Sequence, residues 1–107
     1  MASGHCLCGR IRFVADGEPQ WVAYCHCGFC RRHTASPVAC FVNFALDRVH
    51  FEGTPASHES SPGVTRRHCA HCGTPISYQR ERRAGESDLY LTAIDEPERV
   101  EPQAHGY

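Results

Sequence analysis

Cysteine spacing constrains this chain more than any other feature of its sequence. Seven of the eight cysteines fall into three short groups, which are Cys6-x-Cys8, Cys25-x-Cys27-x-x-Cys30 and Cys69-x-x-Cys72. No N-terminal segment combines a charged start with an apolar run, so we expect a cytoplasmic protein rather than an exported one. In a reducing compartment, grouped cysteines predict metal sites rather than a disulfide framework.

The first and last groups together predict a closed, structural zinc site. Structural zinc takes four tetrahedral ligands, usually as two short pairs from distant parts of a chain. Cys69 and Cys72 are followed by Gly73, and Cys6 and Cys8 are followed by Gly9. A glycine suits the tight turn around a metal, because it tolerates positive φ. We expect Cys6 and Cys8 to share one face of a strand, since side chains two apart do so.

The central group has three cysteines and no obvious fourth. Three protein ligands leave a position for water or substrate, which distinguishes catalytic from structural zinc. The sequence therefore predicts a second zinc ion at Cys25, Cys27 and Cys30. A closed structural site with His26, His33 or Cys40 as fourth ligand is the alternative. Cys40 lies in an apolar segment, where a cysteine is typically a small buried hydrophobe.

Arginines stand next to the cysteine groups. Zinc held by three thiolates has a net charge of about −1, so Arg31 and Arg32, directly after Cys30, would offset it and bind a substrate carboxylate. The alternative is a solvated pair that only balances the site. The pair at residues 66–67 precedes Cys69, and we assign it to the structural site. His26 is a further substrate-binding candidate, and either His26 or His33 could serve as a general base through a water.

The composition and length of the chain limit the classes of partner it can bind and the number of domains it can form. The chain has 107 residues and 11 Lys+Arg against 12 Asp+Glu, a net charge of −1. Such a balance provides no field to attract nucleic acid or a membrane surface. The length suits one core and one domain, residues 1–107. The oligomeric state is left open.

Short runs of β-branched and aromatic residues between turn signals predict an all-β fold with very little helix. The predicted strands are Ile11–Val14, Trp21–Tyr24, Val38–Phe44, Val49–Glu52, Val64–His68, Ile76–Gln79 and Leu89–Ala93. One helical turn is predicted at Phe29–Thr34. The tail Asp95–Tyr107 contains two prolines and is predicted to be irregular.

The order of these motifs resembles the glutathione-dependent formaldehyde-activating enzyme family. The similar segments are Cys6-x-Cys8-Gly9, Cys25-His26-Cys27-x-x-Cys30-Arg31-Arg32, Ser60-Ser61-Pro62-Gly63, Arg67-x-Cys69-x-x-Cys72-Gly73-Thr74, Ile94-Asp95-x-Pro97 and Pro102-x-x-His105-x-Tyr107. The resemblance implies a β-tent fold of small antiparallel sheets with two zinc ions. It implies a structural ion at Cys6, Cys8, Cys69 and Cys72 and a catalytic-type ion at Cys25, Cys27 and Cys30.

Two classes of function remain open at this point. The resemblance implies carbon-sulfur lyase chemistry, in which a thiol such as glutathione and an aldehyde such as formaldehyde form or release an adduct. The partner that it implies is a small thiol or a thiol-aldehyde adduct. The alternative is a non-catalytic module that binds a partner or carries a thiol, with both zinc ions structural. Zinc ribbons that bind nucleic acid need a basic face with aromatic residues, and the net charge disfavours that class.

Overall fold

The computed structural model describes residues 1–100 and the backbone of the strand Ala104–His105. Within this part of the chain the strands are β1 (Ala2–His5), β2 (Arg12–Ala15), β3 (Trp21–Cys25), β4 (Ala39–Ala45), β5 (Val49–Glu52), β6 (Ala56–Ser61), β7 (Val64–His68), β8 (Pro75–Arg80), β9 (Glu86–Tyr90) and β10 (Ala104–His105). The described α-helix is α1 (Gly28–Thr34), and single 3₁₀ turns cover Leu46–Arg48, Glu81–Arg83, Leu91–Ala93 and Pro97–Arg99.

The strands form two sheets. A small sheet has the order β1-β2-β5, and a large one has the order β10-β3-β4-β9-β8-β7-β6. All pairings are antiparallel except that of β10 with β3, which is parallel. The predicted all-β fold with very little helix is confirmed. No helix in the described residues is long and apolar enough to cross a membrane.

The predicted strands correspond to β2, β3, β4, β5, β7, β8 and β9, and the predicted helical turn corresponds to α1. The strand predicted at Leu89–Ala93 is displaced, because β9 ends at Tyr90 and a 3₁₀ turn follows. The prediction missed β1, β6 and β10. Strand β6 is largely exposed at the sheet edge and polar, so it carries no hydrophobic alternation to detect.

The predicted irregular tail contains the 3₁₀ turn Pro97–Arg99 and the short strand β10. Because β10 lies beside β3, this part of the tail is an edge strand of the large sheet. The prediction for residues 101–103, 106 and 107 lies outside the described residues.

The two faces of the large sheet have different roles. On β4, Val42 and Phe44 point toward the main core, where they pack with Phe13 of the small sheet. Phe41 points the other way and packs in a second cluster with Tyr90 and two cysteines of the central group. Side chains alternate across a strand. One sheet therefore supports the core on one face and the central cysteine group on the other.

Gly4 in β1 lies in a tightly packed part of the small sheet. A methyl group on Gly4 would overlap the carbonyl oxygen of Ala93 and the ring of Phe13. We expect Gly4→Ala to lower the free energy of unfolding by about 2–3 kcal/mol, measured by urea denaturation of the zinc-loaded chain. Gly85→Ala is the control, since a methyl group there would have no atom within 4 Å. Equal stabilities for the two variants would contradict this packing.

Candidate metal centres and the adjoining cavity

Four cysteines from the two ends of the chain meet in one cluster. Cys6 and Cys8 follow β1, Cys69 and Cys72 lie between β7 and β8, and their sulfur atoms all lie within 4.8 Å of one another. The Sγ atoms of Cys6 and Cys8 are 3.6 Å apart, and those of Cys8 and Cys69 are 3.8 Å apart. Tetrahedral zinc with bonds of about 2.3 Å places its sulfur ligands roughly 3.8 Å apart. The residues fit a four-coordinate zinc ion.

Each cysteine pair of this cluster lies in a turn closed by a glycine. Gly9 and Gly73 have φ of 80° and 84°, and their N–H groups donate to the carbonyl oxygens of Cys6 and Cys69 at 3.1 and 2.8 Å. The expectation that Cys6 and Cys8 share a strand face is wrong, because β1 ends at His5. The positive φ of Gly9 reverses the chain instead, and the turn brings both sulfurs together.

Thr74 joins the two turns, a role that sequence reasoning missed. Its hydroxyl accepts a hydrogen bond from the Leu7 N–H at 3.0 Å and lies 3.1 Å from the Cys72 sulfur. Donation by the Thr74 hydroxyl lowers the pKa of the Cys72 thiol to about 5. A thiolate is the form in which cysteine binds zinc, so Thr74 prepares this ligand.

The central group forms a second cluster built by the start of the helix. Cys25 ends β3, Cys27 is the N-cap of α1, and Cys30 lies in the first turn of that helix. The Cys25 sulfur is 3.5 Å from that of Cys27 and 3.2 Å from that of Cys30. These separations exceed a disulfide bond of about 2.05 Å and suit three ligands of one metal ion.

None of the three residues considered as a fourth ligand joins this cluster. Among the described residues, the group whose ligand atoms lie within 4.8 Å of one another contains only the three cysteines. His26 is exposed, and Cys40 packs against the main core on the other face of the sheet. The Nε2 atom of His33 is buried and has no hydrogen-bond partner. The described residues supply three protein ligands.

A buried arginine lies against the three-cysteine cluster. Arg66 is 3% exposed, and it donates to Cys30 Sγ at 3.6 Å, Tyr90 Oη at 3.1 Å and Ser60 Oγ at 2.9 Å. Its guanidinium also lies 4.8 Å from the centre of the Tyr78 ring. Within the described chain no carboxylate forms an ion pair with Arg66. Buried charges are normally paired, so the thiolates are the counter-charge of Arg66.

This placement corrects the sequence-based assignment of residues 66–67 to the structural site. Adjacent side chains on β7 point to opposite faces, and Arg66 points to the three-cysteine cluster. Burial raises the pKa of the Cys30 thiol to about 12, whereas Arg66 lowers it. Three thiolates packed here need a metal ion in addition to Arg66 to balance their charge. The donor set therefore fits a zinc ion.

The predicted substrate-binding residues lie near this cluster on the protein surface. Arg31 and Arg32 are exposed on α1, and Arg32 Nη1 donates to the carbonyl oxygen of Gly28 at 3.2 Å. His26 is exposed with its ring centre 6.5 Å from that of Tyr24. Arg32 lines a shallow depression together with His33 and other residues. Substrate binding by Arg31, Arg32 and His26 stays a prediction.

A cavity of about 350 Å³ opens beside the three-cysteine cluster. All three cysteines of the cluster line it, and so do aromatic, aliphatic and charged side chains of the large sheet. These include Trp21, Phe41, Val64, Arg66, Tyr78, Arg80, Arg83 and Asp88. A small molecule in this cavity would reach the sulfur atoms directly, which is the arrangement that an open metal site needs.

Comparisons with known proteins agree with the fold and the motifs. A family model described as "Glutathione-dependent formaldehyde-activating enzyme" matches residues 1–107. The crystal structure of a Rhodobacter sphaeroides protein has a similar fold, with a TM-score of 0.75 and 18% sequence identity, covering 96% of this chain and 98% of that chain. No curated protein is similar enough in sequence to match.

Proposed function

We propose, for a chain that belongs to the glutathione-dependent formaldehyde-activating enzyme family, that it catalyses carbon-sulfur bond formation and cleavage between a small thiol and an aldehyde such as formaldehyde. One observation carries the proposal: the cysteines of the three-membered cluster all line a cavity large enough for a small substrate. The four-cysteine cluster already supplies a full set of structural ligands.

The residues of both clusters suit zinc, with Cys6, Cys8, Cys69 and Cys72 holding one ion and Cys25, Cys27 and Cys30 the other. When bound at the second cluster, zinc supplies a cation that lets a substrate thiol lose its proton at neutral pH. The thiolate clusters need reducing conditions, and this supports work in the cytoplasm.

The reaction is an addition without redox change. The substrate sulfur forms a bond with the carbonyl carbon, the carbonyl π electrons move to oxygen, and the proton lost by the thiol ends on that oxygen. The reverse reaction breaks the carbon-sulfur bond and returns the proton to sulfur. The protein holds the two reactants together in the cavity, which makes their encounter effectively intramolecular. Arg66 stabilises the thiolate cluster, and we propose that exposed Arg31, Arg32 and His26 meet polar groups of the substrate.

Exchange spectroscopy tests the proposal on the zinc-loaded chain. Formaldehyde labelled with ¹³C is mixed with glutathione or another small thiol, and the exchange rate between free aldehyde and S-hydroxymethyl adduct is measured by NMR. We expect the protein to raise this rate above the uncatalysed one. An unchanged rate, together with a cobalt-substituted protein whose spectrum ignores added thiols, would favour the non-catalytic binding or thiol-carrier module.

The substitution Cys27→Ser distinguishes the role of the three-cysteine cluster from that of the four-cysteine cluster. This ligand is partly exposed at the N-cap of a short helix, and serine also caps helices well. We expect the variant to lose one of two metal equivalents and the exchange activity, while its unfolding free energy falls by no more than about 2 kcal/mol. Metal analysis and urea denaturation measure this. A variant that unfolds completely would show that the second cluster, too, is structural.

A further inference from the structure

The cavity beside the three-cysteine cluster is lined by both aromatic and charged side chains. Five aromatic residues line it, and they include Trp21 on β3, Phe41 on β4 and Tyr78 on β8. Phe41 and Tyr78 contact each other with ring centres 5.3 Å apart. Aromatic walls of this kind favour an apolar ligand body. The charged residues of the lining then determine which polar group of a ligand can be bound.

Most charged groups of the cavity already have partners. Arg66 is bound to the cysteine cluster and Tyr90. Arg83 pairs with Glu86 at 3.5 Å and with Asp88 at 3.9 Å, and its guanidinium lies 5.3 Å from the Trp21 ring centre. Asp88 accepts a hydrogen bond from the Asn43 side chain. These contacts leave Arg66, Arg83 and Asp88 committed to the protein itself.

Arg80 differs from the other cationic residues of the lining. Its Nε atom is buried without a hydrogen-bond partner, and no carboxylate of the described residues lies within 4.0 Å of its guanidinium, although its charge acts to lower the pKa of Asp88. Arg83 Nε also lacks a partner, but the terminal nitrogens of that residue are paired. An unpaired buried donor requires an explanation. A ligand carboxylate would supply one, because arginine binds carboxylates with two parallel hydrogen bonds.

Strand register places Arg80 away from the cysteines. Arg80 follows Tyr78 by two residues on the same face of β8, about 7 Å along the strand. Tyr78 pairs with Asp88 on β9 and with Arg66 on β7, and Tyr90 lies two residues beyond Asp88 in the direction away from Arg80. The Arg66 guanidinium contacts Tyr90 and Cys30 at the cysteine cluster. A ligand that reaches both ends has its sulfur and its carboxylate separated by an apolar body.

We propose that the preferred substrate is a compact mercaptocarboxylate, with its thiol at the three-cysteine cluster, its carbon body against Trp21, Phe41 and Tyr78, and its single carboxylate paired with Arg80. The inference rests on the proposed function for its thiol end, and it assigns the substrate carboxylate to Arg80 in place of Arg31, Arg32 and His26. A cavity of about 350 Å³ is small for a ligand site. A tripeptide thiol would bring a second carboxylate and an ammonium group that the cavity does not match, so glutathione binds more weakly.

Trp21 provides the measurement, since it is the single tryptophan of the chain and lines the cavity. The zinc-loaded protein is titrated with 4-mercaptobutyrate, with the neutral 4-mercaptobutanol and with glutathione while tryptophan fluorescence is recorded. We expect 4-mercaptobutyrate to bind about ten- to a hundredfold more tightly than the neutral thiol. Equal or tighter binding of glutathione or the neutral thiol would overturn the inference.

Substitutions identify the residue responsible. Arg80→Met is expected to remove the preference for the acid and leave binding of the neutral thiol unchanged, while Arg80→Lys retains part of it. Arg82→Met is the matched control, because this arginine is exposed and does not line the cavity. If Arg31→Met or Arg32→Met removed the preference while Arg80→Met kept it, the carboxylate would bind outside the cavity and the inference would fail.

A thiol-free acid separates this inference from the proposed function. Pentanoate has a methyl group in place of the thiol and should bind weakly in an Arg80-dependent way. Pentanoate binding with no effect of thiols on the cobalt spectrum would support the Arg80 site and overturn the proposed chemistry. A cobalt spectrum that responds to thiols without any preference for the acid would overturn the Arg80 site alone.

Discussion

Replacing Cys69 with serine is expected to unfold the chain. Cys69 is 2% exposed, and its cluster joins the turn after β1 to the turn between β7 and β8. Structural zinc binds zinc-finger peptides with about 10–16 kcal/mol, which is as much as or more than the net stability of about 5–15 kcal/mol of a typical folded protein. The measurement is near-ultraviolet circular dichroism and urea denaturation at about 25 °C with zinc present, where we expect no cooperative transition.

Cys40→Ser is the matched control for this result. Cys40 belongs to neither cluster and packs, partly buried, against the main core. The same chemical change there should cost about 1 kcal/mol and leave the metal content at two equivalents. A Cys69→Ser protein with a cooperative transition close to that of Cys40→Ser would show that the four-cysteine cluster does not hold the fold together.

The cysteine groups could be predicted because their geometry is local. Two cysteines separated by one or two residues and followed by Gly9 or Gly73 can form a metal turn whatever the rest of the chain does. The structure brings together the four and the three cysteines that spacing groups. The strands were predictable for a similar reason, since runs of β-branched and aromatic residues such as Val38–Phe44, bounded by turn signals, are local features of the sequence.

Contacts that depend on register across strands could not be predicted. Arg66 and Arg67 look equivalent in the sequence, yet only Arg66 points to the three-cysteine cluster. The register of β7 against β8 decides which of the two faces this cluster, and a shift by one residue would exchange them. Arg80 lies in the cavity for the same reason, 50 residues beyond Cys30 in the sequence. Arg31 and Arg32 are adjacent to Cys30 in the sequence, but neighbours along a short helix point in different directions.

Arg66→Met is the change that most directly tests the second cluster. Methionine keeps an unbranched apolar chain against Tyr78, but it removes the cation next to Cys30. Three thiolates with a divalent ion would then retain a buried net charge of about −1 without a counter-ion, a costly arrangement. We expect the metal affinity of this cluster to fall about ten- to a hundredfold, measured by chelator competition against the cobalt-substituted protein.

The four-cysteine cluster serves as an internal reference in this experiment, because Arg66 does not contact it and its affinity should not change. Arg67→Met is the matched control, since it removes the same charge one residue away on the other face of β7. Arg66→Lys should lie between, because lysine keeps the charge but cannot reproduce the bonds to Cys30, Tyr90 and Ser60 together. If Arg66→Met and Arg67→Met bound the second ion equally, Arg66 would not be its counter-charge. The thiolate cluster would then depend on solvent or substrate for neutralisation.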